Sequence, residues 1–201
     1  MLVVLSVFLL AGCSSAVPSS PEEILKVTSQ DWVQGGKNAK VVLIEYADFQ
    51  CPVCSVYAPL THQLAQKYPE KFQFVYRYFP LVDNHKNAFS SAKAAQSAGL
   101  QGKFFEMSDL LYQNQDEWSE AGDAKTFYLQ YAKQLSLDEA KFLKDFESSE
   151  VQSRVQYDLD ASYALKLDGT PSFFINGKKI QIRAADFIPY VESVIQGTSS
   201  N

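Results

Sequence analysis

Cys51-Pro52-Val53-Cys54 places two thiols two residues apart, directly behind the run Val41-Val42-Leu43-Ile44-Glu45-Tyr46-Ala47. That run is apolar and β-branched, the composition of a strand buried on both faces. Beyond Cys51 the apolar residues Val53, Tyr57, Leu60 and Leu64 recur at helical spacing. The cysteines therefore stand where a strand hands over to a helix. Pro52 falls at the first helical position, where a missing N–H costs nothing. Cys51 is left at the N-cap, facing free N–H groups and the positive end of the helix dipole. A thiolate is stabilised there, which makes the thiol acidic and reactive.

The 201 residues suffice for one domain, or for one domain carrying an insertion. Apolar and aromatic fractions of 46% and 13% can fill a core. The net charge of −5 and the absence of any basic run argue against nucleic acid as a partner. Glu22 is the first charged side chain. Residues 2–10 are almost wholly apolar but fall short of the ~20 needed to span a bilayer, and they fit the apolar core of a secretory signal. No basic segment precedes them, as a truncated or misassigned start would leave them. Leu10-Ala11-Gly12-Cys13 resembles a bacterial lipobox, so residues 1–12 are expected to be a signal peptide and Cys13 a lipidated N-terminus. Ordinary cleavage after Ala16 is the alternative. Residues 13–22, rich in Ser and Pro, then form a flexible tether. An exported chain lives where disulfides persist.

With Cys13 acylated, Cys51 and Cys54 are the remaining cysteines. A structural bridge across so short a loop would remove little entropy from the unfolded chain. A zinc site needs about four ligands, and nothing in the spacing of His62 and His85 joins them to the cysteines. A redox pair is the reading that remains best supported, and its sulfurs carry the electrons without a cofactor or metal.

The rest of the chain frames this pair. Ile24, Val27 and Trp32 suit a short edge strand and its packing, and Gly35-Gly36 a turn. The 41–47 strand is expected at the centre of the sheet, with Glu45 a buried or half-buried acid whose pKa desolvation raises. Residues 71–79 alternate, with Phe72, Phe74, Tyr76 and Tyr78 on one side, and predict a second strand parallel to the first. Helices are expected over 87–98, 102–113, 124–135, 138–146 and 150–167, with Asp123, Ser136 and Ser149 as N-caps. Asp168-Gly169-Thr170-Pro171 then reads as a turn, 172–182 as a hairpin about Asn176-Gly177, and 184–196 as an amphipathic helix.

Taken together, Val42-Leu43-Ile44-Glu45-Tyr46-Ala47-Asp48-Phe49-Gln50-Cys51-Pro52-Val53-Cys54, Gln101-Gly102-Lys103-Phe104-Phe105 and Gly169-Thr170-Pro171-Ser172-Phe173-Phe174-Ile175-Asn176-Gly177 resemble the DsbA-like group of thiol–disulfide oxidoreductases. The resemblance runs from about residue 30 to 196. It implies an α/β fold, a thioredoxin fold with an inserted all-helical domain: first half 23–84, insertion 85–167, second half 168–197. It also implies roles. Cys51 is the nucleophile, Cys54 the buried resolving thiol and Glu45 the buried acid beside it. Pro171 is cis, Thr170 lies next to Cys51, and Pro52, Val53, Thr170 and Pro171 meet the substrate. Pro59 matches a bend in the active-site helix.

Two departures bear on direction. Strongly oxidising members place histidine before the second cysteine, whereas Val53 donates no side-chain hydrogen bond, which implies a less oxidising pair. Thr170, in place of valine, also occurs in isomerases and reductases. The resemblance implies an oxidase acting on unfolded or reduced exported proteins. A membrane quinone-linked partner of the DsbB or vitamin K epoxide reductase type would reoxidise it, and a lipid anchor would hold it at the extracytoplasmic face. An isomerase or reductase is the alternative. The stretch between Cys13 and Val41 leaves no room for a dimerisation domain, so a monomer is expected. A non-catalytic copper-handling or holdase lipoprotein is the third reading.

Overall fold

The computed structural model describes residues 17–197. The signal segment, Cys13 and the alternative cleavage point at Ala16 lie outside them. The strands are β1 (Trp32–Gly35), β2 (Val41–Ala47), β3 (Phe72–Tyr78), β4 (Ser172–Ile175) and β5 (Lys178–Ile180). They form one sheet in the order β1-β3-β2-β4-β5, with β2 in the middle. β2 and β3 run parallel, joined by the crossover helix α2 (Pro52–Lys67), and the other neighbours pair antiparallel.

Because successive side chains of a strand face opposite sides, β2 sorts its residues between two layers. Leu43 and Ala47 join Cys51, Cys54, Tyr57 and Leu64 in the larger core, together with Phe187 and Val191 of the last helix, α9 (Ala184–Gly197). Ile44 and Tyr46 face the opposite way, against Leu159 and Ala161. Those two belong to α8 (Ser149–Ala164), the last of a run of helices between β3 and β4. The run also contains α3 (Ala88–Gly99), α4 (Phe104–Gln113), α5 (Gln115–Trp118), α6 (Lys125–Gln134) and α7 (Glu139–Phe146). Glu45 shares the α2 side of β2 with Leu43 and Ala47.

Several details depart from the sequence expectations. Ile24 lies in a single helical turn, α1 (Pro21–Ile24), rather than an edge strand, because Ser20 accepts the Glu23 N–H and Pro21 starts the turn. Val27 is exposed, and the edge strand begins at Trp32. Asp138 and Ser148, not Ser136 and Ser149, cap α7 and α8 with their side chains. Ser136 instead adopts a φ of 56° in the turn before α7. Ala124 precedes α6, and Asp123 accepts the Thr126 hydroxyl rather than a helix N–H. β3 does not leave one face to solvent. Gln73 and Arg77 are buried as well, and Arg77 is held by Asp31 through Nε at 2.8 Å and Nη2 at 3.0 Å. A buried guanidinium needs such a partner, since leaving it unpaired costs several kcal/mol, roughly 3–5.

The hairpin follows its sequence signal. Asn176 and Gly177 both take positive φ, 48° and 78°, as a two-residue turn that matches strand twist requires. The Asn176 side chain also accepts the Val42 N–H at 2.8 Å and donates to the Lys40 carbonyl at 3.0 Å, which ties the turn to the start of β2.

Candidate active site

β2 delivers the chain to Asp48, and an Asx turn follows in which the Asp48 carboxylate accepts the Gln50 N–H at 2.7 Å. The Asp48 carbonyl accepts the Cys51 N–H at 3.1 Å. Cys51 then takes the N-cap of α2 in extended geometry, with Pro52 opening the helix. Both cysteines are free thiols. Cys51 keeps 6% of its surface accessible and Cys54 none, so a second molecule can reach Cys51 alone.

Across from them the Thr170–Pro171 peptide is cis, and the Cys51 thiol donates to the Thr170 carbonyl at 3.5 Å. Burial would raise the Cys51 pKa, but a hydrogen bond from the Cys54 thiol outweighs it. With help from Thr170 and the Cys54 and Val53 amides, it brings the pKa from 9.0 down to about 6. The thiol form makes no capping hydrogen bond, so these donors act on the thiolate. The Thr170 hydroxyl is buried and otherwise unpartnered, which leaves it free for that task. Cys54 moves the opposite way. Burial, its bond to Cys51 and the nearby Glu45 hold its pKa well above 9.0.

Glu45 is 2% exposed and pairs in register with Tyr76 of β3 and Phe173 of β4. Burial, reinforced by the charge on Cys51, pushes its pKa from 4.5 up to about 8. Its Oε1 has no hydrogen-bond partner. The carboxyl is thus neutral near neutral pH and lies within electrostatic reach of both thiols.

A groove of about 670 Å³ is walled by Val53, Tyr57, Thr170, Pro171, Phe173 and Ile182 among others; Cys51 is not part of the wall but touches it through the Thr170 carbonyl. Val53 is 52% exposed. Pro52 is exposed as well but stands outside the groove wall. Among the described residues no group of three or more His, Cys, Asp or Glu side chains could hold a metal.

Most of the supports behind this geometry come from residues distant in sequence. Gln115, in α5, donates from Nε2 to the carbonyls of Phe49 at 2.6 Å and Cys51 at 3.0 Å. Asn87 donates its N–H to Gln50 Oε1 and its side-chain amide to the Trp118, Ser119 and Ala121 carbonyls. His85 lies 2.7 Å from Asp48, which also accepts the Leu81 N–H. Of these only the Asx turn at Asp48 has a local sequence signal.

A Cys-x-x-Cys pair where the central strand β2 meets helix α2, facing a cis-proline loop that leads into its antiparallel neighbour β4, defines the thioredoxin fold. A helical insertion between β3 and β4 makes it the DsbA-like form. Residues 27–192 match the thioredoxin family, and the chain belongs to it. Among solved structures it is similar to Wolbachia pipientis alpha-DsbA1, with a TM-score of 0.73 and 22% identity over 89% of this chain and 95% of that one. It also resembles BdbD of Bacillus subtilis, at TM-score 0.72 and 18% identity over 86% and 94%. The catalytic domain of Proteus mirabilis ScsC matches at 0.71 and 18% over 87% and 94%.

By sequence it is 38% identical over 150 residues to Na(+)/H(+) antiporter NhaA 3 of Salinispora tropica, covering 75% of this chain and 22% of that protein. A second antiporter, NhaA 1 of Mycobacterium sp. strain KMS, is 34% identical over 172 residues, 84% of this chain and 26% of that protein. The chain spans about a quarter of the length of these relatives. No helix among the described residues is long and apolar enough to cross a membrane.

Proposed function

We propose that the protein is an extracytoplasmic thiol–disulfide oxidoreductase that introduces disulfides into exported proteins through Cys51 and Cys54. The observation that carries this reading is the asymmetry of the two thiols. One is partly accessible, beside a groove and acidic. The other is sealed and held protonated. An acidic Cys51 favours the reduced enzyme and is a good leaving group, and both push electrons from substrate to enzyme.

In the oxidised enzyme a substrate thiolate attacks Cys51 Sγ. The new bond joins substrate to Cys51, the Cys51–Cys54 bond breaks, and Cys54 leaves as a thiolate that takes the proton of Glu45. A second substrate thiolate then attacks the substrate sulfur of this mixed disulfide, and Cys51 departs as its stabilised thiolate. The substrate has lost two electrons and the pair has gained two. Reoxidation runs in reverse against the disulfide of a membrane quinone-linked partner of the DsbB or vitamin K epoxide reductase type. There Glu45 accepts the Cys54 proton. A lipid on Cys13 would keep a monomeric enzyme near that partner.

Equilibrating the pair with glutathione and following oxidation of a reduced, unfolded protein tests the reading. Stoichiometric disulfide transfer to the substrate is expected, and none from a Cys51→Ala variant. A potential near the thioredoxin value of about −270 mV, with disulfide reduction as the faster reaction, would replace the oxidase by a reductase.

A further inference from the structure

Glu45 has no path to bulk water along its own strand, yet the proposed cycle changes its protonation twice. When Cys54 leaves, Glu45 gives up a proton. In the reduced enzyme the resulting carboxylate, whose pKa is about 8, takes up a proton near neutral pH, and it must release that proton again before it can accept the one from Cys54 during reoxidation. A carboxyl that is 2% exposed can do this only through a defined contact with solvent.

A cavity of about 10 Å³ adjoins Glu45, the size of a single water. Its walls come from two helices packed side by side: Ala58, Thr61 and His62 of α2, and Phe105, Ser108 and Asp109 of α4. Tyr76 and Tyr112 complete it. Glu45, whose Oε1 has no hydrogen-bond partner, also lines it. At the outer end the His62 ring and the Asp109 carboxylate are 20% and 40% exposed, with Nδ1 and Oδ1 3.5 Å apart. The Thr61 and Ser108 hydroxyls donate to the Ala58 and Phe104 carbonyls, so toward the cavity they offer only acceptor oxygens. Tyr76 and Tyr112 contact each other at 3.4 Å, and burial keeps both phenols protonated, so neither takes up a net proton. On the side of Glu45 toward the groove stand the sulfurs and Tyr57, whose hydroxyl donates to the Ile182 carbonyl. His62, with Asp109 behind it, is the group on the cavity wall able to exchange a proton with both a water and solvent.

The geometry points to His62 and Asp109 as the solvent-side relay for Glu45, passing protons through one water held between α2 and α4. This assignment rests on the reading of Glu45 as proton partner of Cys54. Each transfer is a plain proton hop. Solvent protonates His62, His62 protonates the water, the water protonates Glu45, and the chain runs backward when Cys54 is deprotonated. Asp109 orients the ring and offsets the imidazolium charge. The insertion thereby supplies one of the two relay residues, since Asp109 lies in α4.

The test is single-turnover release of glutathione from a mixed disulfide preformed at Cys51, in weak buffer, with the Cys51 pKa measured in parallel. His62→Phe closes the outer end with an apolar ring of similar size. It should slow release by roughly tenfold, within the range of a lost proton-transfer group, and leave the Cys51 pKa unchanged. Asp109→Asn, a substitution at a partly exposed site that spares the fold, should slow release severalfold. His62→Ala should be slow and regain its rate on addition of imidazole, which the wild type should not need. Glu45→Gln should be slow and gain no further slowing from His62→Phe. Rates of His62→Phe and Asp109→Asn within twofold of wild type, beside a slow Glu45→Gln, would overturn the relay while leaving Glu45 its role. An unimpaired Glu45→Gln would overturn the role of Glu45 itself.

Discussion

The largest stabiliser of the Cys51 thiolate is the hydrogen bond from the Cys54 thiol, and it can be removed without touching Cys51. Cys54→Ala deletes the donor. A hydrogen bond to a charged group contributes ~1.5–3 kcal/mol, and one pKa unit corresponds to ~1.4 kcal/mol. The Cys51 pKa should therefore rise from about 6 to roughly 7–8 in Cys54→Ala. Cys54→Ser keeps a hydroxyl donor in nearly the same place and should stay close to the wild-type value. Thr170 and the two amides remain in both variants, which is why the alanine variant should stop short of 9.0, the value of an unperturbed thiol. The rate of alkylation at Cys51 as a function of pH reads this directly, because only the thiolate reacts. Equal pKa values for the alanine and serine variants would refute the argument, and would move the stabilisation to the backbone and to Thr170.

Glu45→Gln should stabilise the protein in a pH-dependent way. The folded-state pKa of Glu45 is raised, so between 4.5 and about 8 the folded chain holds a proton that the unfolded chain releases. Wild-type stability is thus undiminished below pH 4.5, falls as pH rises through that window, and lies about 3 kcal/mol below that of the variant near pH 7. Denaturant titrations of both reduced proteins at about pH 4 and pH 7, in which the Cys51 contribution cancels, would refute this if the difference were the same at each pH. Val53→His should shift the pair upward from a wild-type potential between about −270 and −120 mV and lower the Cys51 pKa with it. A glutathione titration in which neither moves would mean that residue 53 does not act on the thiolate. Gly99→Ala should destabilise the fold by about 1–3 kcal/mol, because its Cβ would stand 2.3 Å from the Trp32 ring. That ring is pinned by Tyr78, Gln96 and stacking on Phe104. An unchanged melting temperature would refute the claim.

What the chain displays locally was readable. The β2 run, the Cys-x-x-Cys junction and the Asn176-Gly177 turn each draw their conformation from neighbouring residues, and the fold places them as periodicity and turn chemistry require. Interactions between distant residues were not readable. The amide of Gln115 reaches back to Phe49 and Cys51, Asp31 neutralises Arg77, and His62 meets Asp109 across two helices. None of these side chains stands out in its own stretch of sequence. The caps of α7 and α8 missed by one or two residues because Ser, Asp and Glu crowd both junctions, and only backbone geometry selects among them. The four residues of α5 are too few to show any period.

The pair of hydrogen bonds from Gln115 to the Phe49 and Cys51 carbonyls has a consequence for how the protein can be taken apart. The helical segment is inserted between β3 and β4 as if it were a cassette, and its excision would leave a minimal thioredoxin-like unit. That unit would retain every residue named in the exchange reaction except the proton relay through Asp109. It would lose the side chain that holds the loop carrying Cys51 on the face away from the groove. The Phe49 and Cys51 carbonyls would turn to water, and the spacing between Cys51 and Thr170 would rest on the sheet alone. The insertion and the redox centre are therefore one mechanical unit, and grafting this Cys-x-x-Cys segment onto a smaller relative would transfer its letters without its geometry.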